Sequence, residues 1–276
     1  MSPLDRNSNR GFLLDVWIYV VLLFLVLPLP IIGIMSLSSG KFLSFPPQAF
    51  SLFWYGETLG STAWVQAAIT SVQVAVLAVL IALPCAVSLA VASYRLPEKA
   101  RRVVNFLTVG PLIIPLIVFA IALFFVFAKL GLVGTKLGIA LGHAILIMPF
   151  IYVTVSTALE YFDDGLIDAA ETLGASRIYA WRTVLLPFIA PAIILGAVLS
   201  FMTSFDEAVV AIFVGQGSTL TLPSLMWRSL NVELTPGVAA VATMVTLAGV
   251  VIQGTVLLIV WPQFKKRRSK SSQLNG

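Results

Sequence analysis

Charged residues, cysteine and histidine are all scarce in this chain, and each shortage excludes a class of protein. Only 11% of the 276 residues are charged and 59% are hydrophobic, whereas soluble domains carry about 25% charged residues. Cys85 is the single cysteine, so neither a disulfide framework nor a cysteine-rich metal site can form within the chain. These shortages indicate an integral membrane protein that binds no metal and no other cofactor of its own.

Histidine is equally rare, since His143 is the only one, and no cysteine, histidine or acid follows it by three or four positions. A metal site needs several such ligands. We therefore expect His143 to be a hydrogen-bonded packing residue, with a role on a substrate path as the alternative.

Six charge-free intervals are long enough to cross a membrane, because a spanning helix needs about 20 mostly apolar residues. They predict an all-α bundle of six transmembrane helices over residues 14–37, 67–93, 103–128, 137–159, 188–214 and 238–260. A seventh apolar interval, 208–227, contains Gly215, Gly217 and Pro223 among polar residues. Only its start is expected to continue the fifth helix, and the rest is expected to form an outer loop.

Basic residues indicate how these spans are oriented. With the N-terminus inside, 13 of the 17 lysines and arginines fall on inner segments, which is the positive-inside bias of membrane proteins. The net charge of +5 is thereby assigned to topology, and no nucleic acid is expected as a partner. Residues 1–13 and the basic residues 263–276 are expected to form cytoplasmic tails on a single transmembrane domain, residues 14–262.

The first outer segment, residues 38–66, is rich in aromatic residues and proline. It is expected to lie as a helix or loop at the outer membrane interface, where aromatic side chains anchor such proteins. A docking surface for another protein is the alternative interpretation.

The most polar internal segment runs from residue 163 to residue 187 and reads DDGLIDAAETLGASRIYAWRTVLLP. Apolar residues on a helical spacing predict a short amphipathic helix, which Gly174 ends in a left-handed conformation. Ser176 can cap a second short helix over residues 177–186, and Pro187 marks the next apolar run. Two short helices outside the membrane core form a surface that another protein can grip.

This segment resembles the EAA loop of ABC importer permeases, the membrane subunits of binding-protein-dependent uptake systems. The family pattern is Glu-Ala-Ala, three residues, Gly, nine residues, an aliphatic residue, one residue and Leu-Pro. Every spacing is kept here, with Asp168 in place of Glu and Val184 in place of the common Ile. The resemblance implies that residues 160–187 couple to an ATPase through Asp168, Ala169, Ala170, Leu173, Gly174, Ala175 and Pro187.

Two adjacent acids, Asp206 and Glu207, lie inside the predicted fifth helix. A charged side chain costs about 2.5–3.5 kcal/mol near the bilayer centre on insertion scales, so both acids should face protein or a watery cavity. Adjacent helical residues point about 100° apart, and we favour Asp206, beside Phe205, as the acid on a substrate path. The sequence SFDEAVVAIFV around them resembles the polyamine-type branch of these permeases, although branches that move ferric iron, phosphonates or opines can carry similar segments.

The resemblance implies a type I ABC importer permease fold in the bacterial inner membrane, with both termini cytoplasmic. It also implies two ATPase subunits, a second homologous permease and an outer solute-binding protein as partners. The chain has no G-x-x-x-x-G-K-[ST] sequence, so ATP and Mg²⁺ are expected on the ATPase and the chain is not expected to be an enzyme. A secondary transporter is the less favoured alternative, since we find no internal repeat.

Overall fold

The computed structural model describes residues 5–217, 219–232 and 234–274, and this part of the chain is almost wholly helical. The helices are α1 (Asp5–Val26), α2 (Pro28–Ser36), α3 (Phe53–Gly60), α4 (Thr62–Tyr94), α5 (Glu98–Val109), α6 (Leu116–Lys129), α7 (Lys136–Leu159), α8 (Gly165–Thr172), α9 (Arg177–Ala180), α10 (Leu186–Asp206), α11 (Val209–Gly215), α12 (Leu222–Val232) and α13 (Pro236–Leu274). The expected tails lie outside the described residues at 1–4 and 275–276. The described residues of both tails are helical and continuous with α1 and α13.

Five helices in the described part of the chain are long and apolar enough to cross a membrane. They cover Leu14–Ser36, Thr62–Tyr94, Lys136–Leu159, Arg177–Asp206 and Pro236–Val256. These helices agree with five of the six predicted spans. The helix of the first span is interrupted at Leu27, just before Pro28 and Pro30, because a proline has no backbone N–H to donate.

The prediction of one continuous helix over residues 103–128 is wrong. The chain forms two helices there, α5 and α6, which are bent by 94° at a short break. A 3₁₀ turn over Gly110–Leu112 contains Pro111, and Pro115 lies in extended conformation directly before α6. Neither proline can donate a backbone hydrogen bond, so the α-helical pattern cannot run through both. The two helices are long and apolar enough to form a sixth span only when they are taken together.

The fifth predicted helix, 188–214, also differs from the structure at both ends. It begins earlier, because α9, a π-helical turn (Trp181–Leu185) and α10 form one helix over Arg177–Asp206. It ends earlier as well, since Glu207 is extended (φ −75°, ψ 118°) and α11 is a separate short helix. The expected outer loop is partly wrong too, because α12 occupies Leu222–Val232.

The chain divides into two compact units, the first formed by Met1–Thr62 and Arg228–Ala248. In this unit the segment after α2 is folded back on itself through a bridge between Ser38 and Phe50. The indole N–H of Trp54 donates to the carbonyl of Gly40 at 3.0 Å. These bonds give the aromatic outer segment a defined shape, with α3 as its helical part.

The second unit contains Ala63–Trp227 and Gly249–Gly276, and α7 is its most buried helix. The helix pair α7 and α10 packs closely, because a Cβ added at Gly196 of α10 would lie 3.0 Å from the Cα of Ile151. Small residues at such crossings let two membrane helices approach backbone to backbone. The core also takes in four fully buried residues of α4 at intervals of four, Ala78, Ala82, Ala86 and Ala90.

Candidate functional site

The polar segment between α7 and α10 folds as the sequence predicts at its centre. Gly174 follows α8 with φ +90°, its N–H donates to Glu171 O and the N–H of Ala175 donates to Ala170 O. This pair of bonds is the Schellman motif, which satisfies the last carbonyls of a helix and requires a left-handed residue. The predicted helix end at Gly174 is thus confirmed.

The cap of the second short helix is also confirmed, since the hydroxyl of Ser176 accepts from the N–H of Tyr179 at 3.4 Å. The helix that it begins is not separate, however, because α9 continues through the π turn into α10. Pro187 therefore lies inside this continuous helix, two residues after the end of the π-helical turn.

The predicted coupling residues fall on two elements. Six of them lie on α8 and its C-terminal turn, namely Asp168, Ala169, Ala170, Leu173, Gly174 and Ala175. Pro187, the seventh, lies on α10.

One face of the segment packs against the core of the second unit, and the other face is exposed. Ile167 is buried in the core, and Phe162 packs edge-on against Phe188 at 5.1 Å. Leu173 is 88% exposed and Ile178 is 69% exposed. Both apolar side chains are therefore available to another protein.

A second group of functional candidates lies where α10 ends. The carboxylate of Glu207 accepts hydrogen bonds from the backbone N–H groups of Val209 (2.8 Å) and Val210 (2.9 and 3.1 Å). These N–H groups belong to the first turn of α11 and have no partner within the helix. Glu207 therefore caps α11, and its side chain is only 8% exposed.

The buried His143 of α7 binds the same break. Its Nδ1 is hydrogen-bonded to the hydroxyl of Ser204 at 2.8 Å. Its Nε2 lies 2.9 Å from Oε2 of Glu207, a close polar contact without the geometry of a hydrogen bond. His143, Ser204 and Glu207 form what we call the histidine cluster. His143 is thus a buried, hydrogen-bonded packing residue, as predicted, and it joins α7 to the end of α10.

The neighbouring Asp206 is placed differently. It is exposed, and its carboxylate has no hydrogen bond or ion pair to the residues that the structure describes. Phe201 and Phe205 stack one helical turn apart, with ring centroids 6.1 Å apart and planes at 27°. The two acids thus diverge, with Glu207 directed into the protein and Asp206 exposed at the end of α10.

The sequence reasoning missed the role of Glu207 and its link to His143. The one available signal was the presence of a single histidine and an acid in spans that are otherwise almost free of charge. Among the described residues, no three histidines, cysteines or acids come together in a group that could hold a metal ion.

Comparison with known proteins decides the family. Residues 82–260 match the model of the family described as the binding-protein-dependent transport system inner membrane component. The chain belongs to this family of permeases. The permease is therefore a multi-pass protein of the bacterial inner membrane, and the secondary-transporter alternative is set aside.

Two curated relatives match the permease over almost its whole length. It is 30% identical to the spermidine/putrescine transport system permease protein PotC of Haemophilus influenzae, covering 95% of this chain and 99% of that protein. It is also 30% identical to the putrescine transport system permease protein PotI of Escherichia coli, covering 96% and 98%.

A solved structure shows the same fold at lower identity. The permease superposes on a chain of a bacterial ABC transporter that imports the acidic polysaccharide alginate, with a TM-score of 0.65 and 19% identity. The match covers 96% of this chain and 98% of that chain. The fold is thereby that of an ABC importer permease.

Proposed function

We propose that the permease forms half of the path by which a small organic cation of the polyamine class enters the cell, driven by ATP hydrolysis on separate subunits. The observation that carries the choice of cargo is the free carboxylate of Asp206 at the end of α10, which is otherwise uncharged. The names of the two curated relatives support the same substrate class.

The residues around Asp206 suit such a cargo. A primary ammonium group is attracted by a carboxylate and by the face of an aromatic ring, and Asp206 and the Phe201–Phe205 stack offer both. The histidine cluster holds the break at which Asp206 lies, so the carboxylate stays at the end of α10 and is not drawn into a continuous helix.

Energy enters through the segment between α7 and α10. The exposed Leu173 and Ile178 would fill a groove on a cytoplasmic ATPase, with α8 as the docking helix. Two ATPases, a second homologous permease and an outer solute-binding protein complete the assembly. Closure of the ATPases would rock the two permeases between inward-open and outward-open states as rigid bodies. The positive-inside bias supports this orientation, with both termini in the cytoplasm.

The docking role is tested by Gly174→Asp in the complex co-expressed with its neighbouring ATPase. We expect the permease to insert normally but to lose most of its uptake. An aspartate is strained at φ +90°, and its charge is added to the docking surface. Gly131→Asp is the matched control, since Gly131 also has positive φ (+68°) and open space around its Cα. Normal uptake by Gly174→Asp, or an equal loss in the control, would contradict the docking role.

The cargo is tested by ATP hydrolysis of the reconstituted complex with its binding protein and with putrescine, spermidine, ferric iron, a phosphonate or an opine. Stimulation by a polyamine, together with reduced polyamine uptake by Asp206→Asn, is the expected result. Asp15→Asn in α1 makes the same chemical change elsewhere and should leave uptake unchanged. Stimulation by one of the other compounds alone would contradict the polyamine cargo while keeping the importer.

A further inference from the structure

We propose that Tyr94 and Arg95, at the end of α4, are positioning residues that make α4 move together with the coupling segment, residues 160–187. The inference rests on the proposed function, because it concerns how movement of that segment reaches the rest of the permease.

The coupling segment is joined through the backbone to only two long helices. It follows α7 directly, and it leads through α9 and the π turn into α10 without a break. Any displacement of the segment therefore reaches α7 and α10 through the main chain. The long helix α4 has no such connection, so its movement has to be transmitted by side chains.

Two side chains of α4 and its following loop supply that connection, and they contact opposite ends of the segment. The hydroxyl of Tyr94 donates to Oδ2 of Asp164 at 3.2 Å, just before α8. The guanidinium carbon of Arg95 lies 4.7 Å from the ring centroid of Trp181, just after α9. The consecutive residues Tyr94 and Arg95 thus contact the segment before and after its docking helix, α8.

The remainder of α4 is less suited to this task. Its buried face is a row of alanines at intervals of four, Ala78, Ala82, Ala86 and Ala90. Methyl groups form shallow ridges, and helices interlock by fitting ridges into grooves. The α4 side chains Ser71, Gln73 and Ser93 form hydrogen bonds with Leu222, Lys136 and Tyr152, which all lie outside the coupling segment. Contact with the coupling segment is made at the Tyr94–Arg95 end.

Trp181 is held in this arrangement with an unsatisfied donor. Its indole N–H is buried and finds no acceptor among the residues that the structure describes, and buried donors are normally satisfied. Trp181 also opens the π-helical turn, a distortion that often marks functional positions in helices. A shift of the segment that gave this N–H an acceptor would therefore be favoured.

The experiment measures uptake and ATP hydrolysis in the same proteoliposomes, with the complete complex, its binding protein and putrescine or spermidine. The variants are Tyr94→Phe, Arg95→Gln and the double variant. Changes in coupling elements alter the linkage by roughly twofold to thirtyfold. We expect the double variant to keep its stimulated ATP hydrolysis within about twofold but to move about threefold to tenfold fewer substrate molecules per ATP.

The control variant combines Tyr19→Phe with Lys99→Gln. It removes one hydroxyl from the exposed Tyr19 of α1, outside the coupling segment, and one positive charge from the first turn of α5, so the charge bias that orients the spans is matched. Arg95→Lys should restore part of the lost ratio, since an ammonium group is also attracted by an indole face. A lysine that restores nothing would count against the ring contact.

Three results would overturn the inference. One is an unchanged ratio of substrate to ATP in the double variant, and another is an equal fall in the control variant. The third is a parallel loss of uptake and ATP hydrolysis, which would mean that docking itself had failed. Where the double variant does not assemble, Tyr94→Phe alone removes a single hydroxyl and should lower the ratio about twofold. Absence of stimulated ATP hydrolysis in the unmodified complex would contradict the proposed function and this inference with it.

Discussion

Replacing Glu207 by alanine is expected to destabilise the permease substantially, whereas replacing its neighbour Asp206 by asparagine is not. The carboxylate of Glu207 caps the first turn of α11, and losing such a cap costs about 0.5–2 kcal/mol. It also lies 2.9 Å from Nε2 of the buried His143, and taking a close polar neighbour away from a buried polar atom costs about 1–3 kcal/mol. The two losses together amount to about 1.5–5 kcal/mol.

The measurement is thermal unfolding of the purified complex in detergent, followed by tryptophan fluorescence. About 1 kcal/mol corresponds to about 2–4 °C in a domain of this size. Glu207→Ala should therefore lower the midpoint by at least about 3 °C. The unfolding midpoint of Glu207→Gln should lie between those of Glu207→Ala and the unmodified protein. The amide of glutamine keeps one acceptor but turns a donor toward the N–H of Val210.

Asp206→Asn is the control for the same experiment, since the Asp206 carboxylate is exposed and has no bond to the described residues. Its midpoint should stay within about 1–2 °C of the unmodified protein, while its polyamine uptake falls. Equal stability of the Glu207→Ala and Asp206→Asn variants would refute the structural role of the histidine cluster. Loss of stability in Asp206→Asn would refute the assignment of the structural role to Glu207 alone.

Two further variants test the packing and the loop. Gly196→Ala should destabilise the permease by about 1–3 kcal/mol, because its Cβ would press on the backbone of Ile151. The control Gly249→Ala, which has open space around it, should be neutral or stabilising in the same unfolding assay. A greater loss of stability in Gly249→Ala would contradict the close crossing of α7 and α10. Ser176→Ala should lower the free energy of unfolding by only about 0.5–1 kcal/mol, because the hydrogen bond from the Tyr179 N–H is long. Amide hydrogen exchange in the coupling segment should become faster. Unchanged exchange would show that the cap contributes no stability.

The coupling segment could be predicted from the sequence because its signals are local. Gly174 and Ser176 act within a few residues of themselves, through a left-handed backbone and a capped helix. The spacing that identifies the family lies in the same short stretch. Neither prediction depended on what packs against the loop.

The break after Asp206 could not be predicted in that way, because the residue that holds it lies far away in the sequence. Apolar residues continue on both sides of Glu207, and periodicity alone extends the helix. The partner that makes an extended Glu207 favourable is His143, on another helix. Tertiary contacts of this kind override local helix preference.

Two other errors came from signals that were visible but ambiguous. Pro111 and Pro115 lie inside the predicted span 103–128, and membrane helices often accept proline, yet together they break the helix. Pro223 lies in the segment predicted as an outer loop, although proline is favoured in the first turn of a helix. It lies at the start of α12, where the hydroxyl of Ser224 also accepts from the N–H of Thr221.

The unbroken helix from Arg177 to Asp206 works as a lever. Thirty residues at 1.5 Å each make it about 45 Å long, so a tilt of about 5° at the coupling segment displaces Asp206 by about 4 Å. That displacement exceeds the length of a hydrogen bond. A carboxylate at the far end of such a lever can therefore be brought to an ammonium group and withdrawn from it without any helix unfolding, through a change of angle alone.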